Sequence, residues 1–219
     1  SPANVMKLLE VVRGENTSKE VIATSMKLGR TLNKIAVLSG NAPGFIGNRM
    51  LAGYTRQAGE IILQGATPYQ VDNAILGFGM PMGPFQMNDL VGLDLGWRAR
   101  KLGGMKPEDV PITARVADKL CEMDRYGQKT SRGYYIYPAG SRAGQADPEV
   151  VQIVEETSAE LGIERRPIED EEVLKRCLYP LINEGARILE DGIAIRPCDI
   201  DIVYINGYGP VTSRASPMA

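Results

Sequence analysis

The sequence contains no histidine among its 219 residues. Imidazole is the commonest general base at neutral pH and a frequent metal ligand, so its absence removes a large class of sites. A Ser-His-Asp triad, a Cys-His pair and a histidine-bound metal cannot be assembled from this chain alone. Any general base must therefore be a carboxylate or a lysine, or must come from another chain.

Cysteine is scarce, and its three copies, Cys121, Cys177 and Cys198, lie far apart in the sequence. An odd number without close pairs argues against a disulfide framework and against a metal site built on CxxC. We therefore predict no metal site and a reducing compartment. Because no apolar run reaches membrane-spanning length, we also predict a soluble intracellular protein with no membrane span.

Neither sign of charge dominates, since 25 Lys and Arg residues stand against 27 Asp and Glu residues and give a net charge of −2. This balance provides no basic surface of the kind that binds nucleic acid or acidic lipid. We therefore predict that nucleic acid is not a partner.

The first forty residues show the pattern of a strand, a helix and a second strand. Apolar runs at 8–12 and 35–38 predict the two strands. Between them, Thr17 and Glu20 form a capping-box pattern, which predicts a helix with Thr17 as its N-cap and an end near Asn33. Such a unit cannot bury both of its faces alone, so we interpret it as the edge of a larger sheet.

From residue 45 onwards the apolar period becomes helical. A stripe at a spacing of four predicts a helix of about five turns that Gly65 ends. Its members are Ile46, Met50, Tyr54, Ala58 and Ile62. Pro68 predicts the start of a short helix through Ile75, and Pro84 the start of one helix that passes Trp97 and ends at residues 103–104.

The second half of the chain repeats these elements after a mixed stretch that includes a predicted helix at 114–124 and a strand at 133–137. Asp147 and Pro148 predict an N-cap and a first helical residue, and Gly162 ends that helix. Acidic residues at 170–172 predict the start of a long helix that reaches Gly192.

The long helix, its glycine stop and the following proline-started helix occur twice. The matching pairs are Arg49 and Arg176, Leu51 and Leu178, Ile61 and Ile188, Gly65 and Gly192, Pro68 and Pro197, Asp72 and Asp201, and the Gly-aromatic-Gly turns at 77–79 and 207–209. We interpret them as a duplication whose two copies pack as a pseudo-twofold helical pair; chance periodicity is the alternative. Arg49 and Arg176 are predicted to hold contacts between the repeats.

Four segments resemble one family in the correct order. Residues 1–12 resemble the sequence just after the catalytic histidine of L-3-hydroxyacyl-CoA dehydrogenases. Residues 41–49 resemble that family's Gly-Phe-x-x-Asn-Arg motif, residues 82–94 its C-terminal helical domain, and residues 126–135 the linker that follows. The tandem helical repeat is similar to multifunctional fatty-acid β-oxidation enzymes, in which enoyl-CoA hydratase and the dehydrogenase share one polypeptide.

The resemblance implies a role for three residues. In the family, a histidine takes the hydroxyl proton while hydride leaves for NAD, and a glutamate orients and charge-stabilises the imidazole. Glu10 occupies the position of this glutamate, and Asn48 that of the asparagine that binds the substrate near its reacting oxygen. Ser1 falls where the family contacts the cofactor, and the family histidine would lie three residues before it.

The residues alone leave other interpretations open. A glutamate within an apolar strand is either buried with a partner or turned to solvent at the strand end. Asn48 could simply cap the backbone of its own helix.

The resemblance implies a mainly α chain made of two tandem 3-hydroxyacyl-CoA dehydrogenase C-terminal-like helical repeats after a strand-helix-strand remnant of a Rossmann-type NAD domain. The predicted boundaries are 1–40 for the remnant, 41–105 for the first repeat, 106–146 for a linker and 147–219 for the second repeat.

The function that follows is part of an NAD-dependent oxidation of L-3-hydroxyacyl-CoA to 3-ketoacyl-CoA, with the isolated chain inactive. The implied partners are the acyl-CoA substrate and the NAD-binding and hydratase domains of the same polypeptide. The alternative is a non-catalytic helical module for assembly or acyl-CoA docking. The expected compartment is the bacterial cytosol, or the peroxisome in a eukaryote.

Overall fold

A computed structural model of the chain describes residues 3–141 and 143–208. Ser1, predicted to contact the cofactor, lies outside these ranges, as does the end of the predicted second repeat. The described chain forms two compact units. Of the described residues, the first unit combines 3–54, 78–81 and 176–208, and the second combines 55–77, 82–141 and 143–175. These units are defined by contacts in space and do not follow the predicted boundaries of the remnant, the repeats and the linker. Those boundaries stay a prediction.

The structure is mainly helical, which confirms the predicted fold class. The elements in chain order are β1 (Leu8–Arg13), α1 (Lys19–Thr31), β2 (Ile35–Gly40), α2 (Gly47–Gln64), α3 (Pro68–Phe78), α4 (Pro84–Val91), α5 (Asp94–Leu102), α6 (Arg115–Glu122), β3 (Tyr135–Ile136), β4 (Gln145–Ala146), α7 (Pro148–Glu160), α8 (Asp170–Glu190) and α9 (Pro197–Tyr208).

In the first unit, β1 and β2 pair in parallel, with Leu8 opposite Ile35 and Glu10 opposite Val37. A parallel pair needs a crossover, and α1 supplies it. Gly29 of α1 lets the helix approach the sheet closely, because a Cβ at this position would lie 2.8 Å from the Cβ of Ala36. The predicted strand-helix-strand unit is therefore present, and helix α9 packs against both of its strands.

Helix α1 begins one residue later than predicted. Ser18, not Thr17, is its N-cap, and the Ser18 side chain accepts a hydrogen bond from the backbone N–H of Val21. The Thr17 hydroxyl instead accepts from the backbone N–H of Gly14 at 3.0 Å. Thr17 therefore closes the turn after β1, which leaves the capping role to its neighbour.

The apolar stripe of α2 is confirmed, since all five predicted members are buried. The predicted glycine stops and proline starts are also present in both copies. Gly65 and Gly192 both adopt positive φ, of 144° and 68°, and a proline begins the helix after each of them. In the first unit, the start of α2 packs against α8, where a Cβ on Gly53 would lie 3.1 Å from the Cβ of Pro180. The pseudo-twofold arrangement of the two copies stays a prediction.

The single helix predicted from Pro84 past Trp97 is wrong, because two helices are present. Gly92 ends α4 with φ of 103°, and α5 begins at Asp94. A backbone angle in this region interrupts the helical hydrogen-bond ladder at little strain for glycine.

The strand predicted at 133–137 contains only two residues, Tyr135 and Ile136, paired with β4. The backbone N–H groups of Tyr134 and Tyr135 each donate to the carboxylate of Asp89 at 2.9 Å, on Oδ1 and Oδ2. The Tyr137 hydroxyl donates to Oδ2 at 3.0 Å. The carboxylate of α4 thus takes donors that a neighbouring strand would otherwise use.

Candidate active site

Both residues expected to take part in chemistry belong to the first unit and lie close to the start of α2. Glu10 is central in β1, and Asn48 lies in the first turn of α2. A sharp turn precedes the helix, since Gly44 and Phe45 adopt φ of 79° and 50°. Positive φ at a bulky residue such as Phe45 is strained and persists only where surrounding contacts hold it. The turn aims the first amide groups of α2 at β1.

The carboxylate of Glu10 accepts hydrogen bonds from the start of this helix. Its Oε1 atom lies 2.9 Å from the backbone nitrogen of Ile46 and 3.4 Å from that of Gly47. These N–H groups have no partner within the helix, and the helix dipole favours a negative charge there. The carboxylate is therefore half-buried and partnered, which rules out a strand-end glutamate turned fully to solvent.

Burial raises the pKa of Glu10 above its usual range, and the two backbone hydrogen bonds offset part of this effect. Within the part of the chain that the structure describes, both hydrogen bonds of Glu10 end on Oε1. The second oxygen, Oε2, can therefore take a further donor. An imidazole N–H is a donor of this kind, and an imidazolium would lower the pKa of the carboxyl.

The side chain of Asn48 does not cap its own helix in the described structure. Its Oδ1 atom accepts a hydrogen bond from the hydroxyl of Tyr208, at 3.1 Å, across 160 positions of sequence. Tyr208 is the last residue of α9, the helix that packs on β1 and β2. The structure thus places Glu10, Asn48 and Tyr208 around the first turn of α2.

Arg49 links the two repeats within the first unit, as its position predicted. Its guanidinium lies 2.6 Å from Oε1 of Glu184 in α8 and 2.6 Å from Oδ2 of Asp191. The hydrogen bond that Arg49 donates to Asp191 is the main reason that the pKa of Arg49 is raised. These ion pairs fix the helix that presents Asn48; the corresponding role of Arg176 stays a prediction.

Sequence reasoning missed Tyr208 and Glu184 as members of this region. The alignment of the Gly-aromatic-Gly turns marked Tyr208 as a repeat feature, but no local signal paired it with Asn48. No metal-binding group of three or more Cys, Asp or Glu side chains occurs within residues 3–141 and 143–208. In the same ranges, no helix is long and apolar enough for a membrane crossing.

This arrangement can orient and stabilise a cation, but it cannot remove a proton at neutral pH by imidazole chemistry, because the chain has no histidine. A carboxylate held on one oxygen by backbone amides can fix and charge-stabilise an imidazolium on its other oxygen. An amide in the adjacent turn can donate to a substrate oxygen. The site can therefore orient and stabilise a general base that comes from outside this chain.

Two family models match the chain. Residues 1–42 match the 3-hydroxyacyl-CoA dehydrogenase NAD-binding domain, and residues 44–137 match the 3-hydroxyacyl-CoA dehydrogenase C-terminal domain. Together they cover more than half of the sequence, and the boundary between them falls just before the turn that begins α2.

Curated relatives are similar over the whole chain. A peroxisomal bifunctional enzyme of Danio rerio is 47% identical over 100% of this chain and 32% of its own length. The human enzyme of the same name is 45% identical with the same coverages. A peroxisomal fatty acid β-oxidation multifunctional protein of Arabidopsis thaliana is 36% identical over 94% of this chain and 29% of its own. The chain therefore spans about a third of the length of these relatives.

Solved structures show the same fold. The dehydrogenase part of multifunctional enzyme 1 from C. elegans superposes with a TM-score of 0.69 at 35% identity, covering 95% of this chain and 46% of the other. A 3-hydroxybutyryl-CoA dehydrogenase from Escherichia coli gives a TM-score of 0.67 at 23% identity, covering 94% and 59%. This second likeness concerns the fold alone.

Proposed function

This chain belongs to the 3-hydroxyacyl-CoA dehydrogenase family, and from that membership we propose that it is part of an enzyme that oxidises L-3-hydroxyacyl-CoA to 3-ketoacyl-CoA with NAD. The observation that carries the proposal is the position of Glu10. Its carboxylate is half-buried, bound on Oε1 by the amides of the family's Gly-Phe-x-x-Asn-Arg turn, and adjacent to the helical turn of Asn48.

In this reaction the residues of this chain would orient the imidazole and polarise the substrate oxygen, and they would not themselves abstract the hydroxyl proton. We assign Glu10 to orient an imidazole supplied by sequence before residue 1, which takes the proton of the substrate hydroxyl. We assign the Asn48 amide to donate to the oxygen that becomes the ketone. Glu10 stabilises the imidazolium that the proton transfer creates, because an opposite charge in a half-buried site is screened little by water.

The bound NAD would accept the hydride from C3 of the substrate. The described residues fit the edge of its domain, since β1, α1 and β2 form a parallel crossover unit. Exposed apolar side chains on and next to α1 support a further layer of the NAD-binding domain that would cover them. These residues are Val21 and Leu28 in α1 and Leu32 at its C-cap, each more than half exposed. The phosphate-binding loop of such a domain would come from sequence before residue 1.

The partners in this proposal are acyl-CoA and further domains of the same polypeptide. The lengths of the relatives support a longer parent, and names such as bifunctional and multifunctional enzyme support a further activity within it, for which we propose an enoyl-CoA hydratase domain. The names of the relatives also support a peroxisomal compartment rather than the bacterial cytosol. The intact mass of the gene product in its source cells tests whether the parent polypeptide is longer than this chain. We expect a mass far above 23.8 kDa.

The decisive experiment is Glu10→Gln in the longer polypeptide. Glutamine keeps a carbonyl oxygen for the amides of Ile46 and Gly47, so the fold is retained while the charge is lost. We expect kcat for 3-hydroxyacyl-CoA oxidation to fall roughly 100-fold or more. Glu20→Gln is the matched control, because Glu20 is exposed in α1 of the same unit.

Unchanged turnover in the Glu10→Gln protein would contradict the proposal. If such a protein still binds acyl-CoA, the non-catalytic docking module becomes the better interpretation. The isolated 219-residue chain is expected to show no NADH oxidation with acetoacetyl-CoA, since it has no imidazole base.

A further inference from the structure

Tyr208 connects the second repeat to the residues at the start of α2. The last turn of α9 brings its hydroxyl to 3.1 Å from Oδ1 of Asn48. The helix lies on β1 and β2, the strands that carry Glu10 and its neighbour Val37. Tyr208 is therefore placed by the same sheet edge that places Glu10.

The ring of Tyr208 packs closely on two sides, and the residue before it in the chain lies close to β1. A Cβ on Gly47 would lie 2.8 Å from the Tyr208 hydroxyl oxygen, so this approach requires glycine at the first position of α2. The ring of Tyr204 lies 5.1 Å away, centroid to centroid, at an angle of 32°. On the sheet side, a Cβ on Gly207 would lie 2.8 Å from Cδ2 of Leu8.

The direction of the Tyr208 hydrogen bond has a chemical consequence. An asparagine side chain has one accepting end, Oδ1, and one donating end, Nδ2. The phenol donates to Oδ1, which leaves the two N–H groups of Nδ2 for another acceptor. Burial, and to a smaller extent the charge of Glu10, raises the pKa of Tyr208, so the hydroxyl keeps its proton and remains a donor.

We propose that Tyr208 is a positioning residue of the active site, which fixes the amide of Asn48 so that Nδ2 donates to the reacting oxygen of the acyl-CoA substrate. The inference rests on the proposed function, because it deepens the role of Asn48. Without the phenol, the amide can rotate and present Oδ1 to the substrate oxygen, where two acceptors repel each other. The second repeat thereby contributes a side chain to the reaction site.

Tyr208→Phe in the longer polypeptide tests this role, since it removes only the hydroxyl. We expect kcat/KM to fall about fivefold to tenfold, the effect of one ordinary hydrogen bond. The change should appear mainly in kcat, because charge on the substrate oxygen changes during hydride transfer. Tyr204→Phe removes a phenol one turn earlier in the same helix and should stay within twofold of the wild type.

A double-mutant cycle separates positioning from a structural effect. Asn48→Ala should lower kcat/KM roughly 100-fold, as loss of a donor to a developing oxyanion does. In that background, Tyr208→Phe should change kcat/KM by less than about twofold, because the group that it positions is gone. The inference would be overturned if the two substitutions lowered kcat/KM independently, so that their effects multiplied in the double variant. It would also be overturned if Tyr208→Phe had the kcat/KM of the wild type.

The outcomes distinguish this inference from the proposed function. An impaired Asn48→Ala protein with an unimpaired Tyr208→Phe protein removes the role of Tyr208 and leaves the proposed function in place. A fully active Asn48→Ala protein, or a wild-type polypeptide without turnover, overturns both. A fall in the thermal midpoint with Tyr208→Phe that accounts for its lost activity also counts against positioning.

Discussion

Two arginines of the second unit bind the same pair of carboxylates but differ sharply in burial. The guanidinium of Arg125 lies 2.8 Å from Asp147 and 2.7 Å from Glu149. That of Arg132 lies 3.2 Å and 2.9 Å from the same two side chains. The Arg125 side chain is 2% exposed and that of Arg132 is 48% exposed. The pair therefore compares a buried and a half-exposed arginine on the same two carboxylates.

Replacing Arg125 by methionine should destabilise the chain far more than the same change at Arg132. Arg125 also donates from Nε and Nη2 to the backbone carbonyl of Gly133, at 3.1 Å and 2.7 Å. Its removal leaves that carbonyl and the buried Asp147 short of donors, which costs about 3–5 kcal/mol. Arg132→Met removes a half-exposed ion pair and should cost about 1 kcal/mol or less.

Urea unfolding followed by fluorescence measures both changes. Trp97 is the one tryptophan of the chain and lies in α5 of the same unit, so its emission reports on this region. For a slope of about 2–3 kcal/mol per molar, Arg125→Met should lower the midpoint by about 1–2 M, and Arg132→Met by less than about 0.5 M. Equal midpoint shifts in the two variants would refute the desolvation argument.

The dependence of this difference on pH has a defined sign. Burial alone would raise the pKa of Asp147, but hydrogen bonds from the Glu149 backbone and from Arg125 outweigh it, and the pKa is lowered. A lowered pKa contributes stability that is present above the unfolded value, near 4, and is lost as the pH falls through the folded value. The gap between wild type and Arg125→Met should therefore narrow below about pH 4.

Two further predictions concern the second unit. Burial raises the pKa values of Asp72 and Asp89 to about 6. Each should therefore favour folding below about pH 4 and lose roughly 3 kcal/mol of that contribution as the pH rises through 6. If Asp89→Asn leaves the dependence of the urea midpoint on pH unchanged between pH 4 and 7, this prediction is wrong. Gly65→Ala should lower the free energy of unfolding by more than about 3 kcal/mol, because φ is 144° and a Cβ would overlap the Arg166 carbonyl oxygen. Gly162→Ala should lower it by about 1 kcal/mol, because φ is 66° but the space around the residue is open. Equal urea midpoints for the two alanine variants would contradict the steric argument.

Local signals predicted the elements that local physics decides. Asp147 caps α7 as its position before Pro148 indicates, since its side chain accepts from the Glu149 N–H. The five-residue stripe of α2 is buried because a spacing of four places apolar side chains on one helical face. These features depend on neighbours within a few residues, so the sequence shows them directly.

The missed features depend on partners far away in the sequence. The strand predicted at 133–137 is shortened by the carboxylate of Asp89, which lies 45 positions before Tyr134. Asn48 meets Tyr208 across 160 positions. Periodicity states which face of a helix is buried, but it does not state which polar atom another element brings to that face.

The energetics of Glu10 connect the local structure to the missing imidazole. Burial raises the pKa of this carboxyl, because the ionised form loses hydration that it has in water. Two amide N–H groups hold Oε1, and they offset only part of that effect. A buried carboxylate is stabilised when a cation is paired with it, and a protonated imidazole at Oε2 is such a cation. In the proposed reaction, the imidazolium formed by proton transfer would offset the desolvation of the Glu10 carboxylate. A half-buried glutamate in an apolar strand costs desolvation free energy on folding, and the proposed role accounts for its position by pairing it with a cation.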